Sequence, residues 1–454
     1  MKHQASVISR FIALLCAFLL LCGCSAAVDP VNDGLPAEPP VGTLTERPDV
    51  TYVTGSAEAE APAGYTGETK AAASSTSLAD AGSTVDGDMR IDTPVSGEPA
   101  PGSDYLPDPS DPTVLPKSGD AGVLTAAEWN DNDNWPFFTN LVNAQTIRFP
   151  SFGIDPRNRV RVNVVDEAGT PLPYETVTLR SGERTLWTAK SDRNGVACLF
   201  FWEDVGETCE IVVGDTEQTV ALQPVSTDPQ SVATAPQEEV TVVTAQHAVM
   251  PTSLQVMFIV DTTGSMCDEI AYLQKDFSSI AGDIGAEGVS YSVCFYRDEG
   301  DDYVTKCNDF TSDVSAVQTL LNAEYAEGGG DTPEAVAQIL DETLIQNTQW
   351  RDDAVKIAFL IFDAPPHEGN DAILQAAIRT AAEKGIILIP VVASNADRET
   401  ELFGRAIAIC TNGTYVFLTD DSGVGDSHLE PIVGTYTVEL LHDLIVRIIE
   451  RYRP

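Results

Sequence analysis

Basic residues are scarce. Lys and Arg number 26 against 69 Asp and Glu, for a formal net charge of −43. A nucleic-acid-binding chain needs a basic stripe to displace counterions from phosphates, and none is visible, which argues against that class. The acid excess suits a soluble, cation-attracting, extracytoplasmic surface. Long apolar runs are also missing: the longest, Phe11 to Leu21, falls short of a comfortable membrane-spanning helix. Nine cysteines are present, but neither CxxC nor a Cys/His cluster with metal-ligand spacing. Ser265 stands in Thr-Thr-Gly-Ser-Met-Cys rather than a GxSxG elbow, and no GxxxxGK[ST] phosphate loop exists, so nucleotide binding is disfavoured.

At 454 residues, two or more domains are expected. Lys2, His3 and Arg10 precede the apolar run, and Leu21-Cys22-Gly23-Cys24-Ser25 follows it. A basic start, a short apolar core and small residues before a cut make a secretory signal over residues 1–24. Its ending resembles the lipobox of bacterial lipoproteins. That resemblance implies that Cys24 becomes the lipidated first residue of the mature chain, its only membrane anchor. Six cysteines then remain: Cys198, Cys209, Cys267, Cys294, Cys307 and Cys410. Export permits disulfides. Cys294 and Cys307 flank a hairpin-like stretch, as do Cys198 and Cys209. Pairing and buried free thiols both stay open.

Residues 25–120 are rich in Pro, Gly, Ser, Ala and acids, too poor in apolar groups to offset the cost of ordering, and read as a disordered acidic linker. Residues 121–157 form an aromatic-rich island with Trp129, Trp135, Phe137 and Phe138, read as a small helical cap. Its "DNDN" at 131–134 hints at calcium, but Trp135 and Pro136 break the loop pattern. Over 158–250 the period becomes two, in short strands separated by Gly, Asp and Asn turns, which predicts an antiparallel sandwich. "VVDEAGTPLPYETVTL" with "TAKSDRNGVACLF" resembles the immunoglobulin-like module seen beside carboxypeptidases. From 253 to 454, near-continuous apolar strands alternate with helical periodicity. This predicts a doubly wound, mostly parallel α/β sheet with one antiparallel hairpin.

Ligands of such sheets collect at the carboxyl ends of strands. Asp261, Asp298 and Asp363 end predicted strands, and "GGGDTPEA" opens a predicted helix that Thr332 caps with Pro333 at its first turn. So Asp261, Thr263, Ser265, Asp298, Asp331, Thr332, Glu334 and Asp363 are expected at one rim. Carboxylates so crowded repel unless a cation sits among them. Oxygen-only donors suit Mg²⁺, Mn²⁺ or Ca²⁺ rather than zinc. "DTTGSM", Asp261 to Met266, resembles the Asp-x-Ser/Thr-x-Ser signature of the von Willebrand factor type A fold, its metal-ion-dependent adhesion site. "DTPE" and "FDAPPH" follow in the family's order, and Asp268 and Glu269 resemble the adjacent site of integrin β-like relatives.

The resemblance implies a Mg²⁺ or Mn²⁺ centre held by Asp261, Thr263 and Ser265, with Thr332 or Glu334, and Asp363. Asp268, Glu269, Asp298 and Asp331 are candidates for an accessory cation, Ca²⁺ included. It also implies a surface-anchored bacterial protein that grips an Asp or Glu carboxylate of a protein partner and is not an enzyme. Two other classes compete. One is an envelope protein whose metal only staples loops. The other is a metal-dependent hydrolase with His367 as base.

Overall fold

Hydrophobic runs long enough to be buried on both faces set the centre of the molecule. Strands β9 (Ser253–Asp261) and β12 (Ala354–Phe362) are buried at every position. Such strands are stable only inside a sheet covered on both sides. The computed structural model describes residues 124–454 except 203–204, 206–207, 223–238, 246, 248–249, 331 and 423–426. The predicted signal, Cys24, the acidic linker and Asp331 therefore lie outside the described residues.

The elements run in chain order as β1 (Thr125–Trp129), α1 (Trp135–Asn143), β2 (Arg159–Val165), β3 (Thr176–Ser181), β4 (Arg184–Lys190), β5 (Val196–Phe200), β6 (Cys209–Val213), β7 (Thr216–Val220) and β8 (Glu239–Val243). After β9 come α2 (Cys267–Ile284), β10 (Val289–Tyr296), β11 (Thr305–Cys307), α3 (Val314–Asn322), α4 (Val336–Leu340), β12, α5 (Asp371–Lys384), β13 (Ile386–Val392), α6 (Arg398–Cys410), β14 (Tyr415–Thr419), β15 (Glu439–Leu440) and α7 (Leu441–Tyr452). The large sheet has the order β11-β10-β9-β12-β13-β14-β1-β15, parallel from β10 through β14. Alternation sorts the central strand: Val256, Phe258 and Val260 face α2, α3 and α7, whereas Met257 and Ile259 face α4, α5 and α6. This is the doubly wound arrangement expected from the sequence. Among the described residues no helix is long and apolar enough to cross a membrane.

Two expectations are corrected. The island at 121–157 is not merely a helical cap. Its first strand, β1, is a working member of the large sheet, antiparallel to β14 from Thr125↔Thr419 to Trp129↔Tyr415, and paired with β15 on its other edge. The sheet is therefore not confined to 253–454. "LTAAEW" escaped notice because two alanines weaken its strand signal. Second, the β-unit is not wholly antiparallel. Among the described residues its strands form two small sheets, β5-β2-β8 and β4-β3-β6-β7, and β2 pairs with β8 in parallel.

The β-unit is thus inserted between β1 and β9. It packs on α5, where the Arg379 guanidinium lies 4.6 Å from the Trp202 ring centroid and 5.2 Å from that of Trp187. It also reaches the end of that helix, where Lys190 closes on Gly385. The "DNDN" acid is spent on structure. Asp131 accepts two of the Arg405 bonds, each at 2.8 Å, and the Trp129 indole N–H at 3.0 Å, all buried.

Candidate functional site

Strands β9, β10 and β12 lie side by side and parallel, so their C-terminal ends deliver Asp261, the Asp298 loop and Asp363 to one rim. Chain order reverses between β9 and β12, the switch point where such sheets open a crevice. After Asp261 the chain turns through Thr262 and Thr263 into a 3-10 turn, Gly264–Met266, and then α2. Asp261 Oδ1 shapes that turn by accepting the Thr263 amide at 2.9 Å and its hydroxyl at 2.7 Å. The Thr263 and Ser265 hydroxyl oxygens stand 3.4 Å apart. Ser265 in turn donates to Asp363.

The glycine loop closes the second side. The Gly264 amide donates to the Gly328 carbonyl at 3.2 Å, and the Gly329 amide donates to Asp301 Oδ2 at 2.9 Å. Gly329 has φ +78°, and a β-carbon there would lie 2.9 Å from Glu334 Oε1 and 3.0 Å from Thr263 Cβ. A side chain is excluded by both conformation and space. Glu334 is then fixed by its own backbone: its amide donates to the Pro365 carbonyl at 3.0 Å, bridging to the loop after Asp363. A groove of about 450 Å³ results, lined among others by Thr263, Ser265, Gly329, Glu334, Asp363 and Asp397.

The electrostatics are strained. Asp261, Glu334 and Asp363 are 0%, 4% and 7% exposed, and each keeps one buried carboxylate oxygen without a hydrogen-bond partner. Unpartnered buried carboxylate oxygens are costly unless something else satisfies them. Burial, then the charge of Asp363, pushes Asp261 up to about 7. Burial, then Asp261, Asp298 and Asp363, pushes Glu334 up to about 9. Burial also raises Asp363 to about 6, against the Ser265 hydrogen bond and with help from Glu269. A hard divalent cation among these oxygens would relieve all three at once. Among the described residues no group of three Asp, Glu, His or Cys side chains is arranged to hold a metal. A centre here therefore depends on the Thr263 and Ser265 hydroxyls and on water, which suits an ion that keeps part of its hydration shell.

The remaining predicted residues divide. Thr332 is exposed at the groove edge. It does not cap a helix as expected, because α4 begins only at Val336 with Ala335 before it. The backbone between them is instead used for the Glu334–Pro365 bridge. Between the two second-loop candidates, Glu334 holds the buried, unpartnered oxygen. Asp298 stands at the rim but is engaged by His367 Nε2 at 2.5 Å and takes the Asp301 carboxylate on its amide at 3.0 Å. Asp268 is exposed on the first turn of α2 and is not brought to the groove. Glu269 is buried and accepts the Ser394 hydroxyl at 2.5 Å and amide at 3.1 Å. Sequence reasoning missed Asn395 and Asp397, which line the groove after β13. "ASNAD" directly follows an apolar strand of the same sheet, and that position was the available signal. Asp397 also caps α6, accepting the Thr400 amide at 2.8 Å.

This order of acids, hydroxyls and glycines around a doubly wound sheet agrees with the family comparison. Residues 255–428 match the model of the von Willebrand factor type A domain. The chain carries such a domain. Over 215 residues it is 26% identical to an ariadne-like RING finger protein of Acanthamoeba polyphaga mimivirus, in an alignment covering 42% of this chain and 20% of that protein. The chain thus spans about a fifth of that relative's length. The structure extends the type A sheet beyond the matched segment, with β1 and β15 added at its edge.

Proposed function

We propose that the type A domain is a divalent-cation-dependent protein-binding module that grips a carboxylate of its partner. Asp261, Thr263, Ser265, Glu334 and Asp363 would hold Mg²⁺ or Mn²⁺, with Thr332 at the rim and Asp397 across the groove. When bound, the ion supplies an electrophilic position that an Asp or Glu side chain from outside can occupy. The chain's own residues do the rest. Thr263 and Ser265 contribute neutral donors, which leaves the ion under-neutralised. Gly329 keeps the entrance clear. One observation carries the reading: three buried carboxylates, each with an unpartnered oxygen, converge on two hydroxyls beside an open groove.

Glu269, held by Ser394, is the better of the two first-helix acids for an accessory ion such as Ca²⁺, since it keeps one oxygen unpartnered. The hydrolase reading is disfavoured because His367 is engaged with Asp298 and does not line the groove. The proposal includes anchoring through lipid at Cys24 on a bacterial surface, with the β-unit as an immunoglobulin-like spacer. The test is calorimetric titration of the full chain with MgCl₂ and MnCl₂. Wild type is expected to bind saturably and Asp261→Ala not at all. Unchanged binding in that variant would refute the site. Binding that raises thermal stability while carboxylate-bearing protein ligands fail to exchange onto it would favour a merely structural metal.

A further inference from the structure

The edge hairpin of the sheet carries a cysteine pair that the adhesion chemistry does not use. Cys294 on β10 and Cys307 on β11 are direct partners in antiparallel register. The Arg297 amide donates to the Val304 carbonyl at 3.0 Å, which marks that opposed pair as the hydrogen-bonded kind. The two kinds alternate along an antiparallel ladder, so Cys294–Cys307, three steps further, is a non-hydrogen-bonded pair. Such pairs bring their α-carbons to about 4.5 Å and their side chains to the same face, within the range that a disulfide spans. Interaction with the Cys307 thiol, set against burial, holds the Cys294 thiol below its ordinary value. Cys294 is buried, whereas Cys307 is partly open to solvent on the edge strand.

We propose that Cys294 and Cys307 form a cross-strand disulfide in the exported protein. An incoming disulfide donor, such as oxidised glutathione, is attacked by the Cys307 thiolate, which releases one donor thiol. The Cys294 thiolate then attacks Cys307 Sγ and releases the second. Two protein thiols are oxidised to the disulfide, the donor disulfide is reduced to two thiolates, and the two protein thiol protons pass through solvent to those thiolates to give two donor thiols. The bond closes the hairpin whose tip holds Asp298 and Asp301. Asp301 in turn holds the Gly329 amide. The crosslink therefore tethers the loop that shapes the groove, whatever the groove binds.

Peptide mapping tests this. The purified full chain is treated with oxidised glutathione under native conditions, blocked with iodoacetamide and digested without reductant. Mass spectrometry is expected to find the Cys294 and Cys307 peptides as one linked species, two hydrogens lighter than their sum, that separates on adding dithiothreitol. A second measurement compares melting temperatures. Reduction is expected to lower that of wild type, and the Cys294→Ser, Cys307→Ser double variant is expected to lose that difference. Recovery of both cysteines as alkylated thiols, or linked to other cysteines, overturns the proposal.

Discussion

Replacing Asp261 by Asn separates the electrostatic cost of the site from its use. The side chain is fully buried, and its folded-state pKa of about 7 stands against an ordinary 3.8. A raised carboxyl stabilises the fold fully below its unfolded value, and that contribution is lost as pH rises through the folded one. The gap corresponds to about 4 kcal/mol of ionisation cost in the metal-free protein above neutrality. Asn removes that cost but leaves an amide where the unpartnered oxygen was, a penalty of about 1–3 kcal/mol. In chelator, the variant is therefore expected to be more stable than wild type by about 1–3 kcal/mol near pH 8, and roughly equal near pH 5. Between those values the variant-minus-wild-type difference should move by about 3 kcal/mol. Urea denaturation at the two pH values measures it. Adding Mg²⁺ at about a hundred times its dissociation constant should then stabilise wild type by about 2.7 kcal/mol and leave the variant unmoved. A difference that does not change with pH would refute the charge-crowding argument. A variant that still gains from Mg²⁺ would refute the ligand assignment.

Three further outcomes are expected. Gly329→Ala places a β-carbon against Glu334 and Thr263 at positive φ, so it should cost about 1–2 kcal/mol in unfolding experiments and weaken Mg²⁺ binding by calorimetry. Arg405→Met leaves Asp131 and Glu401 buried without their shared cation. Chemical denaturation should show a loss of about 3–5 kcal/mol. A fragment starting at residue 253 lacks β1 and exposes the edge of β14. It is expected to aggregate on size-exclusion chromatography, where a chain starting near residue 121 elutes as a discrete species.

The rim was legible because its signals are local. An apolar run ending in Asp261, two hydroxyls at alternate positions and a triple glycine each announce a strand end or a tight loop. Parallel topology then needs only the strand order to bring them together. What the sequence concealed was long-range. Nothing in "LTAAEW" says that it pairs with Tyr415 to Thr419, some 290 residues later. Nothing in "DTPEA" says that the Glu334 amide will bond to the Pro365 carbonyl before a helix starts at Val336. Thr332 matched a helix cap on local grounds and lost to that tertiary contact. Asp298 was a candidate for an accessory cation, and its partner His367, on another loop, was not visible from the local sequence.

The insertion of the β-unit between β1 and β9 bears on how the sheet that carries the groove is braced. Because β1 is held between β14 and β15, the β-unit leaves and re-enters the sheet through two anchored strands rather than one tether. It is also clamped to α5 by Arg379, which lies over two tryptophan rings and donates to the Leu186 carbonyl. Contacts at Lys190 and Gly385 place it by the C-terminal end of α5, whereas Asp363 precedes the N-terminal end of that helix. The groove is therefore left open while its scaffold is braced from the far side. Two attachments and a packed face resist torque on the sheet better than a single linker does, because rotation about either connection must break the other.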